Sequence, residues 1–293
     1  MIKELETKSI LTINKHPSSW FGVKYNMNIY RGCQHNCIYC DSRSECYRIE
    51  NFNDIIVKIN AIDLLKKELK RKRNRTTIGT GSMCDAYMPI EKEYKLVRKA
   101  LKIIVENKFP FHVTTKSNLI LRDVDLFQEI NKIFTSIAFT ITTTNTSLSK
   151  KIEPNAPSSI DRFKSMGVLS SLNILTGVTM MPILPFIEDT EENIYKIVEM
   201  TSFYGGKFIY PCFGMTLRDR QRTYYYEKLD KYFPGIKEKY KKKYKNKYGC
   251  SASNIKKLKS IFYETCDKFN ISTTFPTYEQ KISSYQLSIF EDI

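Results

Sequence analysis

The sequence lacks any apolar run long enough to cross a membrane. Its first fifteen residues, MIKELETKSILTINK, are charged and mixed, without the roughly seven consecutive apolar residues of a secretory signal. The expectation is a cytoplasmic protein with no membrane partner. Cysteine is too sparse for the disulfide framework of a small secreted domain: eight in 293 residues, three of them in one short stretch. In a reducing compartment such cysteines serve as ligands, catalytic thiols or buried apolar side chains. No internal repeat of fixed period is present. Acidic residues are also short, 31 Asp and Glu against 47 Lys and Arg, which leaves a net charge of +16.

What is there fits an ordinary folded chain. A hydrophobic fraction of 42% with 27% charged residues suits a soluble globular protein of one large domain or two small ones. A face carrying the positive surplus would attract a polyanion through counterion release. The surplus concentrates in residues 66–75, KKELKRKRNR, and residues 237–248, KEKYKKKYKNKY. In the second run Ile236, Tyr240, Tyr244 and Tyr248 recur every fourth residue. A helix there presents one aromatic stripe and a lysine-covered remainder. Two readings stand: a stripe docked on the core with solvated lysines opposite, or nucleic-acid contact by the lysine face.

The chain alternates in character. Residues 24–30, 76–79, 111–115, 136–143, 177–181 and 207–210 are rich in β-branched or aromatic residues and predict strands. Residues 61–73, 91–107, 124–132, 158–171 and 191–203 predict helices between them. Six β–α repeats argue for parallel strands with right-handed crossovers, as in a (β/α) barrel or an open sheet, with ligands at the carboxyl ends of the strands. Past Pro211 the rhythm stops, and residues 218–269 read as helices. The expected organisation is a barrel over 1–212, a helical extension over 213–270 and a tail over 271–293.

The segment YRGCQHNCIYCDS, residues 30–42, sits just past the first strand and spaces Cys33, Cys37 and Cys40 as CxxxCxxC. Three thiolates cannot complete a cluster of four irons, so one iron keeps an open position that can bind and activate a small molecule. A structural zinc site needs four ligands, and His35 is the available fourth, at the cost of a strained loop.

With its aromatic Tyr39 before the last cysteine, this segment resembles the signature of radical S-adenosylmethionine (radical SAM) enzymes. Within them the chain resembles the spore photoproduct lyase and "DNA repair photolyase" group. The matching pieces are YRGCQHNCIYCDSR, IGTGSMCDAYMPIEKEY, VTTKSNLILRDVDLF, FTITTTN, EPNAPSSIDRF, GVTMMPILPFIEDTEENI and GMTLRDRQRTYYYEKLDKYFPGIKEKY, from about residue 25 to beyond 240. The resemblance implies an α/β fold, a six-stranded partial (β/α) barrel with a helical C-terminal extension. It implies that Cys33, Cys37 and Cys40 hold a [4Fe–4S] cluster whose unique iron binds SAM. One-electron reduction by an electron donor would then release a 5′-deoxyadenosyl radical. It further implies that Thr80, Gly81 and Ser82, in the run that begins at Gly79, accept the SAM amino group, where small residues allow close backbone approach. Lys116 would face the SAM carboxylate, with Arg162 a second partner for it or a surface residue. Thr140 and Thr142, on one face of the fourth strand, would offer hydroxyls. Tyr39 and the segment around Pro182 would flank the adenine.

Spore photoproduct lyases carry a cysteine after the second strand that returns a hydrogen atom to the product radical. Cys84 is the counterpart by region, not residue for residue, since it lies directly before Asp85 and the lyases' thiol lies slightly earlier. Catalytic and buried structural roles both stay open for it. Cys46, Cys212, Cys250 and Cys266 show no ligand spacing. At the C-terminus, Gln286-Leu287-Ser288-Ile289-Phe290 resembles the pentapeptide by which bacterial repair proteins dock on the DNA sliding clamp. Leu287 and Phe290 would enter an apolar pocket and Gln286 would anchor, unless the tail packs back on the barrel. The expected function is radical SAM chemistry on DNA, repair of a base lesion such as a thymine dimer. The alternatives are modification of RNA or protein, and a clamp-associated DNA-binding protein with a structural or redox-sensing cluster. Repair by direct light absorption is not implied, because no flavin site is evident.

Overall fold

The structure, a computed structural model, describes residues 1–49, 51–52 and 54–280. Its strands are β1 (Ile2–Leu5), β2 (Leu11–Ile13), β3 (Tyr25–Met27), β4 (Tyr30–Arg31), β5 (Ile55–Lys58), β6 (Ile78–Thr80), β7 (Phe111–Thr115), β8 (Thr135–Thr140), β9 (Leu175–Met180), β10 (Phe208–Pro211), β11 (Gly214–Thr216) and β12 (Gly249–Ser251). Its helices are α1 (Ala61–Lys70), α2 (Glu91–Tyr94), α3 (Leu96–Glu106), α4 (Val124–Asn131), α5 (Thr146–Ile152), α6 (Ser159–Ser171), α7 (Glu191–Phe203), α8 (Asp219–Tyr232), α9 (Ile236–Tyr244) and α10 (Ile255–Lys268).

The main sheet runs β10-β9-β8-β7-β6-β3-β2, six parallel strands with β2 antiparallel on the edge. The six parallel strands and their crossover helices are the partial (β/α) barrel expected from the sequence. Every residue of β7 and β8 is buried, as parallel strands covered on both faces must be. α3 turns Leu96, Val97, Ala100, Leu101 and Ile104 inward at helical spacing. Three N-termini are capped by side chains, Asn145 for α5, Ser158 for α6 and Thr190 for α7, which satisfies amides that lack helical partners.

Several elements differ from expectation. The first strand breaks after Met27, and β4 turns away into a second sheet, β1-β5-β4, that the alternation did not reveal. The single helix expected over 91–107 is two. Lys95 takes φ +52°, and the buried Glu91 carboxylate accepts hydrogen bonds from the Val97 and Arg98 amides at the start of α3. The extension contains the β11–β12 hairpin among its helices. In α9 the aromatic stripe docks: Tyr240 and Tyr244 are buried, with lysines 241, 242 and 243 exposed, while Tyr248 lies beyond the helix and is exposed.

Inside the barrel, the segment before β3 forms the base. Phe21 stacks on His112 of β7 with ring centroids 3.9 Å apart, beside Ala138 and Phe208. Residues after α10 run along β10, where Ser272 accepts from the Ile209 amide at 2.8 Å and Phe275 stacks on Tyr210. Gln286, Leu287 and Phe290 lie outside the described residues. Among those described, no helix is long and apolar enough to cross a membrane.

Candidate active site

A cavity of about 500 Å³ opens at the carboxyl ends of the parallel strands. Cys33, Cys37 and Cys40 line one side of it, and Gly81, Ser82 and Cys84 follow from the end of β6. Lys116 comes from the end of β7, Thr140 and Thr179 from β8 and β9, and Met181 and Pro182 from the turn after β9. The hairpin closes the far side through Met215 and Cys250, with Cys212 just before it. Of the sequence-predicted residues, Cys33, Cys37, Tyr39, Cys40, Gly81, Ser82, Cys84, Lys116, Thr140 and Pro182 therefore face one space.

Three residues do not. Thr80 is buried in β6 outside the cavity lining. Thr142 lies past the end of β8, so the shared face expected with Thr140 is lost. Its carbonyl accepts from Asn193 instead. Arg162 is fully buried outside the cavity lining, where it donates to the Thr140 and Pro157 carbonyls and pairs with Glu153, 2.6 Å away.

The turn after β6 requires glycine. Gly81 has φ +96°, and a Cβ there would stand 1.9 Å from the Thr114 carbonyl oxygen. The cysteine loop is held both from the β8–α6 crossover of the barrel and from the extension. Asn155, in the EPNAPSS segment, donates to the Gln34 carbonyl at 2.9 Å, and Ile38 donates to the Ile152 carbonyl at 2.9 Å. From α8, Gln221 donates to the Tyr39 carbonyl at 3.0 Å and Tyr224 to the Asn36 side chain at 3.1 Å. Asp219 receives the Ser44 hydroxyl at 2.9 Å.

Two carboxylates that sequence reasoning missed organise the interior. Asp85 is buried and accepts from the Thr115 hydroxyl, the Lys116 amide and, at 3.0 Å, faces His35 Nε2. Burial opposes its ionisation, yet His35 and these donors outweigh that and hold it below the usual carboxylate range. Glu153 is buried beside Cys37 and receives the Tyr39 hydroxyl and Arg162, with Lys116 Nζ 4.0 Å away. It too stays ionised against burial because Arg162 and Lys116 flank it. Lys116, half-buried, is kept a cation against that burial by negative charge at Cys37 and Glu153. The only signals for these residues were their positions, Asp85 next to Cys84 and Glu153 opening the quoted EPNAPSS piece.

Burial pushes the Cys33 and Cys37 thiols up to about 12 and Cys40 to about 11. Loading a cluster therefore releases protons from all three. The donor set fits such a cluster: three thiols on one wall and a cation in Lys116 for a carboxylate. His35 is turned to Asp85 and to the Asn155 carbonyl, and among the described residues no three His, Cys, Asp or Glu side chains converge on a single ion. Cys84 is buried, donates to the Tyr30 carbonyl at 3.0 Å, and burial keeps it a thiol. Cys46 is exposed, and Cys266 is buried on α10.

Comparison with known proteins bears on this arrangement. The chain is 36% identical over 212 residues to "Uncharacterized protein MJ0683" of Methanocaldococcus jannaschii, covering 71% of this chain and 78% of that one. It is 25% identical over 243 residues to "Uncharacterized protein Rv2578c" of Mycobacterium tuberculosis, covering 80% and 71%. Its fold is similar to that of "Spore photoproduct lyase complexed with dinucleoside spore photoproduct", with TM-score 0.69 and 15% identity over 92% of this chain and 79% of that one. A variant of that lyase with bound AdoMet and dinucleoside spore photoproduct matches at TM-score 0.68 and 16% identity, over 92% and 78%. At such identities the likeness shows the shared fold. The sequence profile of the radical SAM superfamily matches residues 27–200, more than half of the chain. With its three cysteines at the mouth of a partial barrel, the chain belongs to the radical SAM superfamily, whose cofactors are a [4Fe–4S] cluster and S-adenosylmethionine.

Proposed function

We propose that the protein acts on DNA and repairs a base lesion of the thymine-dimer class, with Cys84 as the hydrogen-atom donor. The observation that carries this reading is the placement of Cys84 in the cavity lined by Cys33, Cys37 and Cys40, as a thiol and not a thiolate. When bound, the cluster and SAM supply a 5′-deoxyadenosyl radical that abstracts a hydrogen atom from substrate. The chain's residues do the rest. Lys116 offers its ammonium to the SAM carboxylate, and the turn at Gly81 and Ser82 brings backbone close to the amino group. Thr140 and Tyr39 bound the remainder. A substrate radical then takes the hydrogen of the Cys84 S–H bond, leaving a thiyl radical on sulfur, a step that needs an intact thiol.

The fold likeness to a lyase complexed with a dinucleoside photoproduct supports this substrate class. So does the exposed lysine face of α9, since Tyr244 at its end donates to the Ser251 carbonyl of the hairpin that closes the cavity. One observation favours a second reading, modification of RNA or protein: among the described residues lining the cavity, Lys116 is the one lysine or arginine, with His35 turned to Asp85.

The test is 5′-deoxyadenosine formation by the anaerobically reconstituted, reduced protein, with undamaged and ultraviolet-irradiated DNA in parallel. Stimulation by irradiated DNA with loss of a photoproduct is expected, and Cys84→Ala should still cleave SAM while failing to return hydrogen. Turnover indifferent to DNA would refute the proposal and direct the search to RNA or protein.

A further inference from the structure

Arg43 stands three residues past Cys40 and outside the cavity lining, so it reaches neither SAM nor a substrate in that space. Its guanidinium is clamped between two rings, 3.6 Å from the Tyr224 centroid and 4.2 Å from that of Phe52. Nη2 donates to the Asn36 side chain, the same oxygen that receives the Tyr224 hydroxyl. Nε is buried without a partner among the described residues. Burial disfavours this cation, and among the described residues no carboxylate features among the groups that act on it most strongly. Those groups are Tyr224, which burial keeps a neutral phenol, and the sulfurs of Cys40, Cys37 and Cys33.

An arginine partly withdrawn from water, as half-buried Arg43 is, is ordinarily paired with an acid, because leaving its charge uncompensated is costly. Here the aromatic clamp supplies cation–π stabilisation and fixes the planar group in place. A cluster held by Cys33, Cys37 and Cys40 would supply a compensating anion. A fixed positive charge near such a cluster favours the reduced state, which carries one more negative charge, and net charge around a cluster is among the factors that set its potential.

We propose that Arg43 is a positioning residue for electron transfer, a fixed cation that raises the reduction potential of the cluster held by Cys33, Cys37 and Cys40. It acts through the cluster and is independent of the substrate. Its role therefore stands or falls apart from the reading of the protein as a DNA repair enzyme. The clamp also ties this function to the helical extension, since Tyr224 belongs to α8.

The test uses the full chain reconstituted with its cluster under anaerobic conditions, with no DNA present. The potential of the one-electron couple between the 2+ and 1+ states is read by electron paramagnetic resonance, with electrons supplied by a mediator at an electrode. Arg43→Gln, loaded to the parent iron content, should titrate at a lower potential. Arg43→Lys, which keeps the charge, should stay nearer the parent. An Arg43→Gln cluster with the parent's potential would overturn the proposal. Should Arg43→Gln not retain its cluster, Tyr224→Glu keeps the arginine and sets a carboxylate against it. A lower potential is expected there as well, and an unchanged one is equally fatal.

Discussion

Replacing Gly81 by alanine should cost more than the same change at Gly235, and the structure separates the reasons. The residue has φ +96°, a region that L side chains populate rarely, at a cost of about 1–3 kcal/mol. The added Cβ would lie 1.9 Å from the Thr114 carbonyl oxygen, whereas real contacts do not fall below 3.0 Å. Thr114 is paired in register with Ala138 in a fully buried part of the sheet, so it cannot simply move aside. Forcing such a shift in a packed interior adds about 1–3 kcal/mol. The smaller entropy of the unfolded alanine chain returns about 0.4–1 kcal/mol. The net expectation is roughly 1–5 kcal/mol, which at about 2–4 °C per kcal/mol for a large domain lowers Tm by roughly 2–20 °C. Gly235 is the control. It has φ +80°, but its Cβ would meet nothing within 4 Å, so Gly235→Ala carries strain without the clash and should cost about 0–2 kcal/mol. Urea unfolding of the two variants beside the parent measures the difference. If Gly81→Ala is no less stable than Gly235→Ala, the turn is not the rigid cradle described here.

Stability should also fall in mild acid because of His112. Burial depresses this imidazole to about 3 from an ordinary 6.5. The native state therefore excludes a proton that the unfolded chain binds, and stability is lost as pH falls from 6.5 towards 3, with no contribution above 6.5. The slope from this group is about 1.4 kcal/mol per pH unit. His112→Gln should flatten the parent's decline between about pH 6.5 and 5, and the difference between the two profiles cancels groups common to both. Identical slopes would show that His112 is not the sensor. A peptide of residues 280–293 should bind a bacterial sliding clamp saturably and lose binding when Leu287 and Phe290 become alanine; absence of saturable binding removes the clamp from the account. Tyr278 packs near Phe134, at the barrel end opposite the cavity, so such docking would start from the face away from the mouth.

The barrel was legible because its determinants are local. β-branched and aromatic runs such as FHVTT, alternating with amphipathic helices, specify strands buried on both faces without knowledge of any partner. The cysteine spacing was legible for the same reason. What stayed hidden depends on where chain segments end and meet. Thr140 and Thr142 have the same parity, but a period of two assigns a shared face only while the strand lasts, and β8 stops at Thr140. Arg162 looked like a free cation because nothing in SIDRF announces that Glu153 lies 2.6 Å from its guanidinium. Glu91 reads as one charge in a helix, yet it caps the next one, and that break could be seen only from the left-handed Lys95.

The cysteine loop shows the same limit most sharply, and it shows what the extension does. Three-residue spacing brings thiols near one another but does not hold them, since a loop of this kind carries few backbone hydrogen bonds of its own. Its anchors come from far along the chain: Asn155 on Gln34, Gln221 on the Tyr39 carbonyl, Tyr224 on Asn36, and the Arg43 stack between Phe52 and Tyr224. Three of these four depend on α8, which lies past the last barrel strand. A (β/α) barrel can present cysteines at its mouth, but the geometry that makes three of them serve one cluster is imposed largely from outside by a helix that reads, in sequence, as a charged surface element. The extension thus belongs to the active site in a physical sense, because the loop's conformation and the charge beside its sulfurs both depend on it.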